Sequence, residues 1–323
     1  AKEHKKGKLA ARERIDLLLD PGSFNEFNML VKYKVGAPGD GIVIGHGTID
    51  GRRVCVFSHD VTVFGGSQGY MHGRKLYKIH EMALDMGVPL IGLNDSPGAR
   101  VIRSELAGSD DPYRVSDEKH AGVVFFINTR CSGAIPQISA ILGNCTGGSV
   151  YSPAVTDFIF MVDGLSHMFI TGPRVIKSVM GEEVSMEELG GAKVHCQITG
   201  VADFRVKSEQ ECMQGIRRLL SFLPSNYREP LERKDTGDDP ERFTDTLGEI
   251  VPAQSTKGYD MLRLIKEIVD NGDFLEVKPE FAAEIIVGFA RLDGHTVGIV
   301  ANQPMVRAGC MSADSSNKQA RFI

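Results

Sequence analysis

Two short stretches could do chemistry without any ionisable side chain: "LNDSPGAR" at 93–100 and "LGNCTGGSVYSPA" at 142–154. Each brings glycine to the point where an apolar strand would end. Glycine lets the main chain turn sharply and lets a ligand approach N–H groups with no Cβ in the way. Where a helix follows, its first N–H groups have no intrahelical partner and sit at the positive end of the dipole. Two such donors converging from different loops could hold an oxyanion, and removing one donor of that type costs on the order of 3 kcal/mol in known enzymes. The competing reading of each glycine pair is a tight turn that only permits close helix–sheet packing.

Other chemical patterns fare less well. "GHGTIDG" at 45–51 has dinucleotide-like glycine spacing, but a hairpin and strand follow it, not a helix. "GGSQG" at 65–69 fits a nucleophile elbow, yet no Asp/His pair stands out to complete a triad. Cys145 reads as a small buried hydrophobe before it reads as a thiol nucleophile. His167 and His195 read as hydrogen-bonded structural residues. The basic opening "AKEHKKGKLAARER" reads as a solvated amphipathic helix, with phosphate clamping as the alternative.

The composition is that of a soluble globular chain. Its 323 residues suggest about two domains. Lys+Arg 37 against Asp+Glu 42 leaves −5, which gives no sign of a nucleic-acid partner. No apolar run approaches the roughly 20 residues needed to span a bilayer, so no membrane insertion is expected. The six cysteines are scattered without CxxC spacing, which argues against structural zinc and for reduced thiols.

The elements that position the glycine turns alternate. "VCVFSHD", "VPLIGLND", "IPQISAIL" and "DFIFMVD" read as strands; "GRKLYKIHEMALDMG", "EKHAGVVFFINTR" and "GGSVYSPAV" read as helices or a turn into one. Such alternation predicts a mainly parallel sheet covered on both faces, whose strand ends collect ligands. The chain also repeats itself. "GHGTIDGRRVCVFSH" at 45–59 matches "GFARLDGHTVGIVAN" at 288–302, and "LLLDPGSFNEF" at 17–27 matches "EIVDNGDFLEV" at 267–277. Each copy reads helix, Asp/Asn-Gly turn, strand, strand, Asp-Gly hairpin, strand. The second copy stops soon after it begins, so the sequence reads as a fragment lacking most of a second homologous domain. The charged, Pro/Gly-containing stretch at 225–245 reads as the linker.

Taken together, "HKKGKLAARERIDLLLDPGSF", "DVTVFGGSQGYMHGRKL", "DSPGAR", "GGSVYSPAVTDFIFM", "HMFITGPRVIKSVMGEEVSMEELGGAKVH", "LLSFLPSN" and "GIVANQPMVRAGC" resemble the carboxyltransferase β subunits of biotin-dependent acyl-CoA carboxylases. The branch of propionyl-CoA carboxylase, methylmalonyl-CoA decarboxylase and transcarboxylase is the nearest in pattern. The resemblance implies an α/β fold of two crotonase-like (ClpP/crotonase) spiral domains in tandem, 1–240 binding acyl-CoA and 241–323 beginning the incomplete biotin-side domain. It implies a carboxyl group passing between carboxybiotin on a partner carrier and the α-carbon of an acyl-CoA, through an enolate. Propionyl-CoA to methylmalonyl-CoA is the expected direction, with the decarboxylase or transcarboxylase reverse transfer as the alternative.

By motif match, Gly147 and Gly148 supply oxyanion N–H groups, with Gly98 and Ala99 as the second wall. Phe64, Gly65, Gly66, Tyr151, Ser152, Pro153, Gly172, Pro173, Gly190 and Gly191 are the expected substrate-binding residues. The family pattern reads Asp-Ser-Gly-Gly-Ala-Arg where this chain has Pro97. Proline has no N–H, so position 97 is assigned no oxyanion role. The resemblance further implies a biotin carboxyl carrier protein and a biotin carboxylase as partners. It also implies a dimer-based hexamer, coenzyme A as part of the substrate and no metal. The location implied is cytoplasmic, or the mitochondrial matrix in a eukaryote. A biotin-independent crotonase-type hydratase or isomerase would instead need paired glutamates over the thioester, and none is placed there.

Overall fold

The computed structural model describes residues 3–31, 38–100, 123–254 and 256–323. The polar stretch at 101–120 and the start of the helix expected at 118–130 lie outside the described residues. The chain forms two compact units: Ala1–Val194 with Arg205–Arg217 and Ser225–Arg228, and His195–Phe204 with Arg218–Pro224 and Glu229–Ile323.

In the first unit, helix α1 (Ala11–Leu18) leads to strands β1 (Asn25–Phe27), β2 (Ile42–Ile49) and β3 (Arg52–His59). Helix α2 (Tyr70–Met86), strand β4 (Leu90–Ser96), helix α3 (Val123–Cys131) and strand β5 (Gln137–Thr146) follow. Helix α4 (Gly148–Ala154), strands β6 (Phe158–Val162) and β7 (His167–Phe169), and helices α5 (Pro173–Met180) and α6 (Met186–Gly190) come next. The sheet runs in the order β1-β2-β3-β4-β5-β6, with β7 beside the end of β5. β1 to β3 pair antiparallel, and β3 to β6 pair parallel, as the alternation predicts.

Every residue of β4 is buried, which explains its unbroken apolar run from Leu90 to Leu93. The core on one face joins Leu76, Ile79 and Ala83 of α2 and Val124 and Ile127 of α3 to Ile42, Ile44, Cys55, Phe57 and Leu90. α2 ends where Gly87 takes a left-handed φ of 62°, a conformation that glycine adopts at little steric cost.

The opening helix departs from the solvated face expected of it. Arg14 is fully buried, bonding Glu209, Asp95 and the Leu142 carbonyl, and Lys8 pairs with Asp95. A buried charge persists only when it is paired, and here each cation meets a carboxylate.

The second unit repeats the start of the first. Helix α7 (Met261–Ile268) leads to β8 (Leu275–Val277), β9 (Ile285–Leu292), β10 (His295–Asn302) and helix α8 (Ala313–Phe322). Both hairpins turn on two residues at positive φ, Asp50 at 51° with Gly51 at 78°, and Asp293 at 50° with Gly294 at 74°. These are the values a type I′ turn demands. Each turn is held by the aspartate that ends the preceding helix: Asp20 accepts the Asp50 and Gly51 N–H groups, Asp270 those of Asp293 and Gly294. In each copy a phenylalanine lies under a glycine of the middle strand. A Cβ on Gly45 would sit 2.5 Å from Phe24, and one on Gly288 2.6 Å from Phe274. The duplicated letters therefore mark duplicated contacts.

Part of the stretch read as a linker is ordered against the second unit. Arg233 pairs with Asp293, the Lys234 N–H donates to Gly294 O, and Thr236 donates to Asp270.

Candidate functional site

β4 and β5 are parallel neighbours, with Ser96 in register with Cys145, so the two glycine turns emerge side by side. Ser149 joins them. Its buried hydroxyl lies 2.7 Å from Ser96 O and 2.8 Å from Thr146 O, and accepts the Thr146 N–H at 3.0 Å. Thr146 Oγ1 adds a bond to Pro97 O at 2.7 Å. Gly98 has φ 94°, and a Cβ there would meet Thr146 O at 2.6 Å, so only glycine lets the turns come this close. The Gln68 N–H donates to Gly98 O and the Arg100 N–H to Gln68 O, which brackets Ala99.

The N–H groups are then accounted for one by one. Gly98 donates to Ser96 Oγ at 3.2 Å, and Gly147 donates to Ile170 O at 3.2 Å. Ala99 N–H has no acceptor among the described residues, and Gly148, the first residue of α4, has none either. Gly147 thus contributes its backbone conformation, φ 57° and ψ −130°, while Gly148 and Ala99 keep donors without an acceptor among the described residues.

Ala99, Gly148, Ser149, Tyr151 and Ser152 line a cavity of about 140 Å³, which continues between Phe57, Leu76, Val124 and Phe125. A cavity of this size is comparable to one that holds benzene. The Tyr151 ring packs edge-on against Phe125 at 5.7 Å, and Ser152 Oγ donates to Asn128 at 2.8 Å. No Asp or Glu is among the described residues that line it. His59 lies on its wall, with Nδ1 accepting the Asp95 N–H at 3.3 Å. Burial pushes His59 down to about 4, so its ring is neutral at pH 7 and a poor base.

The remaining expected residues lie off this cavity. Phe64 is half-exposed at 47%, and Gly65 and Gly66 form the turn beside it. Gly66 is buried so tightly that a Cβ would meet Asp95 O at 2.7 Å. Pro153 is buried within α4. Gly172 caps α5 and Pro173 begins it, and no residue of α5 is buried. Gly190 lets α6 approach Met168 O, where a Cβ would stand 2.0 Å away, and Gly191 bridges to His167.

Side chains set aside in the sequence are structural. Ser67 donates to Phe64 O, and Cys145 is buried with its thiol pushed up to about 12. His167 bonds Asn144 and Glu187, and His195 bonds Thr199. Sequence reasoning missed three residues of the site: Ser149, Arg100 and His59. Ser149 lay inside the quoted glycine stretch, and its small hydroxyl next to paired glycines was the available signal.

Comparison with known proteins identifies the family of the chain. The profile described as "Carboxyl transferase domain" matches residues 2–323. The chain is 50% identical over 331 residues to a propionyl-CoA carboxylase, carboxyltransferase subunit, of Haloferax mediterranei, covering all of this chain and 62% of that protein. It is 50% identical over 332 residues to the methylmalonyl-CoA decarboxylase subunit alpha of Veillonella parvula, covering all of this chain and 63% of that one. Among solved structures it superposes with a TM-score of 0.90 on transcarboxylase 12S, described as a hexamer with hydrolyzed methylmalonyl-coenzyme A bound. That match is 43% identical and covers 99% of this chain and 63% of that one.

The fold is the crotonase-like α/β fold of acyl-CoA carboxyltransferases, with backbone donors at the ends of parallel strands. The chain belongs to the carboxyl transferase domain family, and it spans a little over three fifths of the length of the curated relatives it matches.

Proposed function

We propose that this chain is the acyl-CoA-binding part of a biotin-dependent carboxyltransferase. The enzyme moves a carboxyl group between carboxybiotin on a carrier protein and the α-carbon of an acyl-CoA, with propionyl-CoA and methylmalonyl-CoA as the pair. The observation that carries the reading is the pair of amides, Ala99 and Gly148, without an acceptor among the described residues and presented by two stitched turns on the lining of an apolar cavity. An enolate oxygen next to sulfur needs donors already aimed at it and shielded from water. A turn fixed by Ser149 and by the Gly98–Thr146 approach need not reorganise as charge develops.

The proton leaving the α-carbon has no acceptor among the cavity's described side chains, since His59 is held neutral and far from basic. Carboxybiotin, when presented by its carrier, supplies the carboxyl group and a ureido nitrogen able to take that proton. Tyr151 and Ser152 border the thioester and the pantetheine arm. Phe64 to Gly66, Gly172 with Pro173, and Gly190 with Gly191 shape the outer walls. Residues 1–240 form the acyl-CoA domain, and 241–323 begin the domain that meets biotin. The full enzyme works as a hexamer with its biotin carrier and biotin carboxylase, in the cytoplasm or, in a eukaryote, the mitochondrial matrix. The described residues contain no helix long and apolar enough to cross a membrane.

The test is Gly148→Val in the full-length enzyme. A Cβ at Gly148 meets nothing nearer than Gln68 Oε1 at 4.0 Å, and its φ is not positive, so a side chain can start there without backbone strain. Carboxyl exchange with the biotinylated carrier should vanish for propionyl- and methylmalonyl-CoA while the oligomer stays intact. Exchange at the wild-type rate would refute the assignment.

A further inference from the structure

We propose that Arg100 is a positioning residue that holds the Ala99 amide in place, acting through Asp40 and the turn at 64–67. The Arg100 side chain is largely enclosed, at 11% exposure. Nη1 meets Asp40 Oδ1 at 2.5 Å, Nη2 donates to Ser67 O at 2.8 Å and Nε to Ser67 Oγ at 3.1 Å. Its flat face covers the Phe64 ring at 4.4 Å from the centroid. Arginine's planar fork can make all of these contacts at once, and an ammonium cannot.

The anchor is rigid in turn. Asp40 is fully buried, sits at φ 49°, and takes the His72 N–H on its second oxygen at 2.9 Å, which ties it to the first turn of α2. Gly69 leaves the room the guanidinium fills: a Cβ there would lie 2.5 Å from Arg100 Nη1. The main chain completes the clamp, because Gln68 donates to Gly98 O and accepts from Arg100 N–H, one residue either side of Ala99. A buried carboxylate, a glycine, a short turn and one arginine thus converge on a single amide. A donor displaced by about 1 Å loses up to about 100-fold in rate, which is the scale on which such a clamp matters.

The inference rests on the oxyanion reading of Ala99. It is tested in the full-length enzyme with its biotinylated carrier, by steady-state exchange with propionyl-CoA. Arg100→Ala should lower kcat about 100-fold while raising KM far less, since Arg100 is not itself among the residues that line the cavity. Added guanidinium ion should restore at least a tenth of the wild-type rate. Arg100→Lys keeps the charge beside Asp40 and loses the Ser67 contacts. It should cost about tenfold in kcat, and it decides the matter if Arg100→Ala does not assemble. Amide hydrogen exchange at positions 98 and 100, whose N–H groups are bonded in the wild type, should quicken in either variant. A kcat for Arg100→Lys within twofold of wild type, or a loss carried by KM alone, overturns the inference. A wild-type enzyme that exchanges no carboxyl group sinks the functional reading instead.

Discussion

Ser149 is one hydroxyl with three main-chain neighbours, and those neighbours belong to both turns of the site. Replacing it with alanine leaves Thr146 N–H and two carbonyls without their partner, and unsatisfied buried groups cost about 1–3 kcal/mol each. Ser149→Ala should therefore leave acyl-CoA binding in place and slow exchange by about tenfold or more, read from kcat at saturating substrate. Gly98 makes the complementary case. Alanine there combines a positive φ with a Cβ aimed at Thr146 O, so Gly98→Ala should lower both the melting temperature and kcat. A variant that melts and turns over like wild type would show that the two turns can part without consequence.

The hairpin caps show the same economy in whole elements. Asp20 accepts the Gly51 N–H first of all, then the Thr48 hydroxyl and Arg217, and these hold its carboxyl well below the usual carboxylate range. Asp20→Ala should lower the free energy of unfolding by roughly 3 kcal/mol in urea, the scale of several hydrogen bonds to one charge. The alternation of strands and helices and the twofold copy were legible because period and Asp-Gly turns are local signals. Burial of charge was less so. In α1 the buried positions are Ala11, Arg14, Ile15 and Leu18, so Arg14 stands in the apolar stripe, a clue that the basic composition of the opening obscured. The Gly147 amide could not be read at all. Its acceptor, Ile170 O, arrives only because β7 pairs with the end of β5. The docking of 233–236 onto the Asp270 and Asp293 turns is equally non-local.

Across the whole molecule, acid finds a set of histidines held neutral. Burial lowers His59 and His80 to about 4, and His72 lies well below its ordinary 6.5. The unfolded chain takes up protons near 6.5 and the folded one does not, so their share of stability is complete above pH 6.5. It is lost as pH falls toward 4, at up to about 1.4 kcal/mol per unit for each histidine. Melting temperature should decline steadily from pH 7 to 5, and a flat profile would mean the rings protonate without unfolding. The two copies also share a buried amine. Lys75 donates to the Gly39 and Ile42 carbonyls, Lys318 to those of Phe281 and Ile285, and both are 1% exposed with pKa values brought down to about 8. An uncharged amine is the form that attacks activated esters most readily. The fold keeps these two amines walled off, so treatment with an acylating reagent should mark exposed amines and spare both until the chain is unfolded.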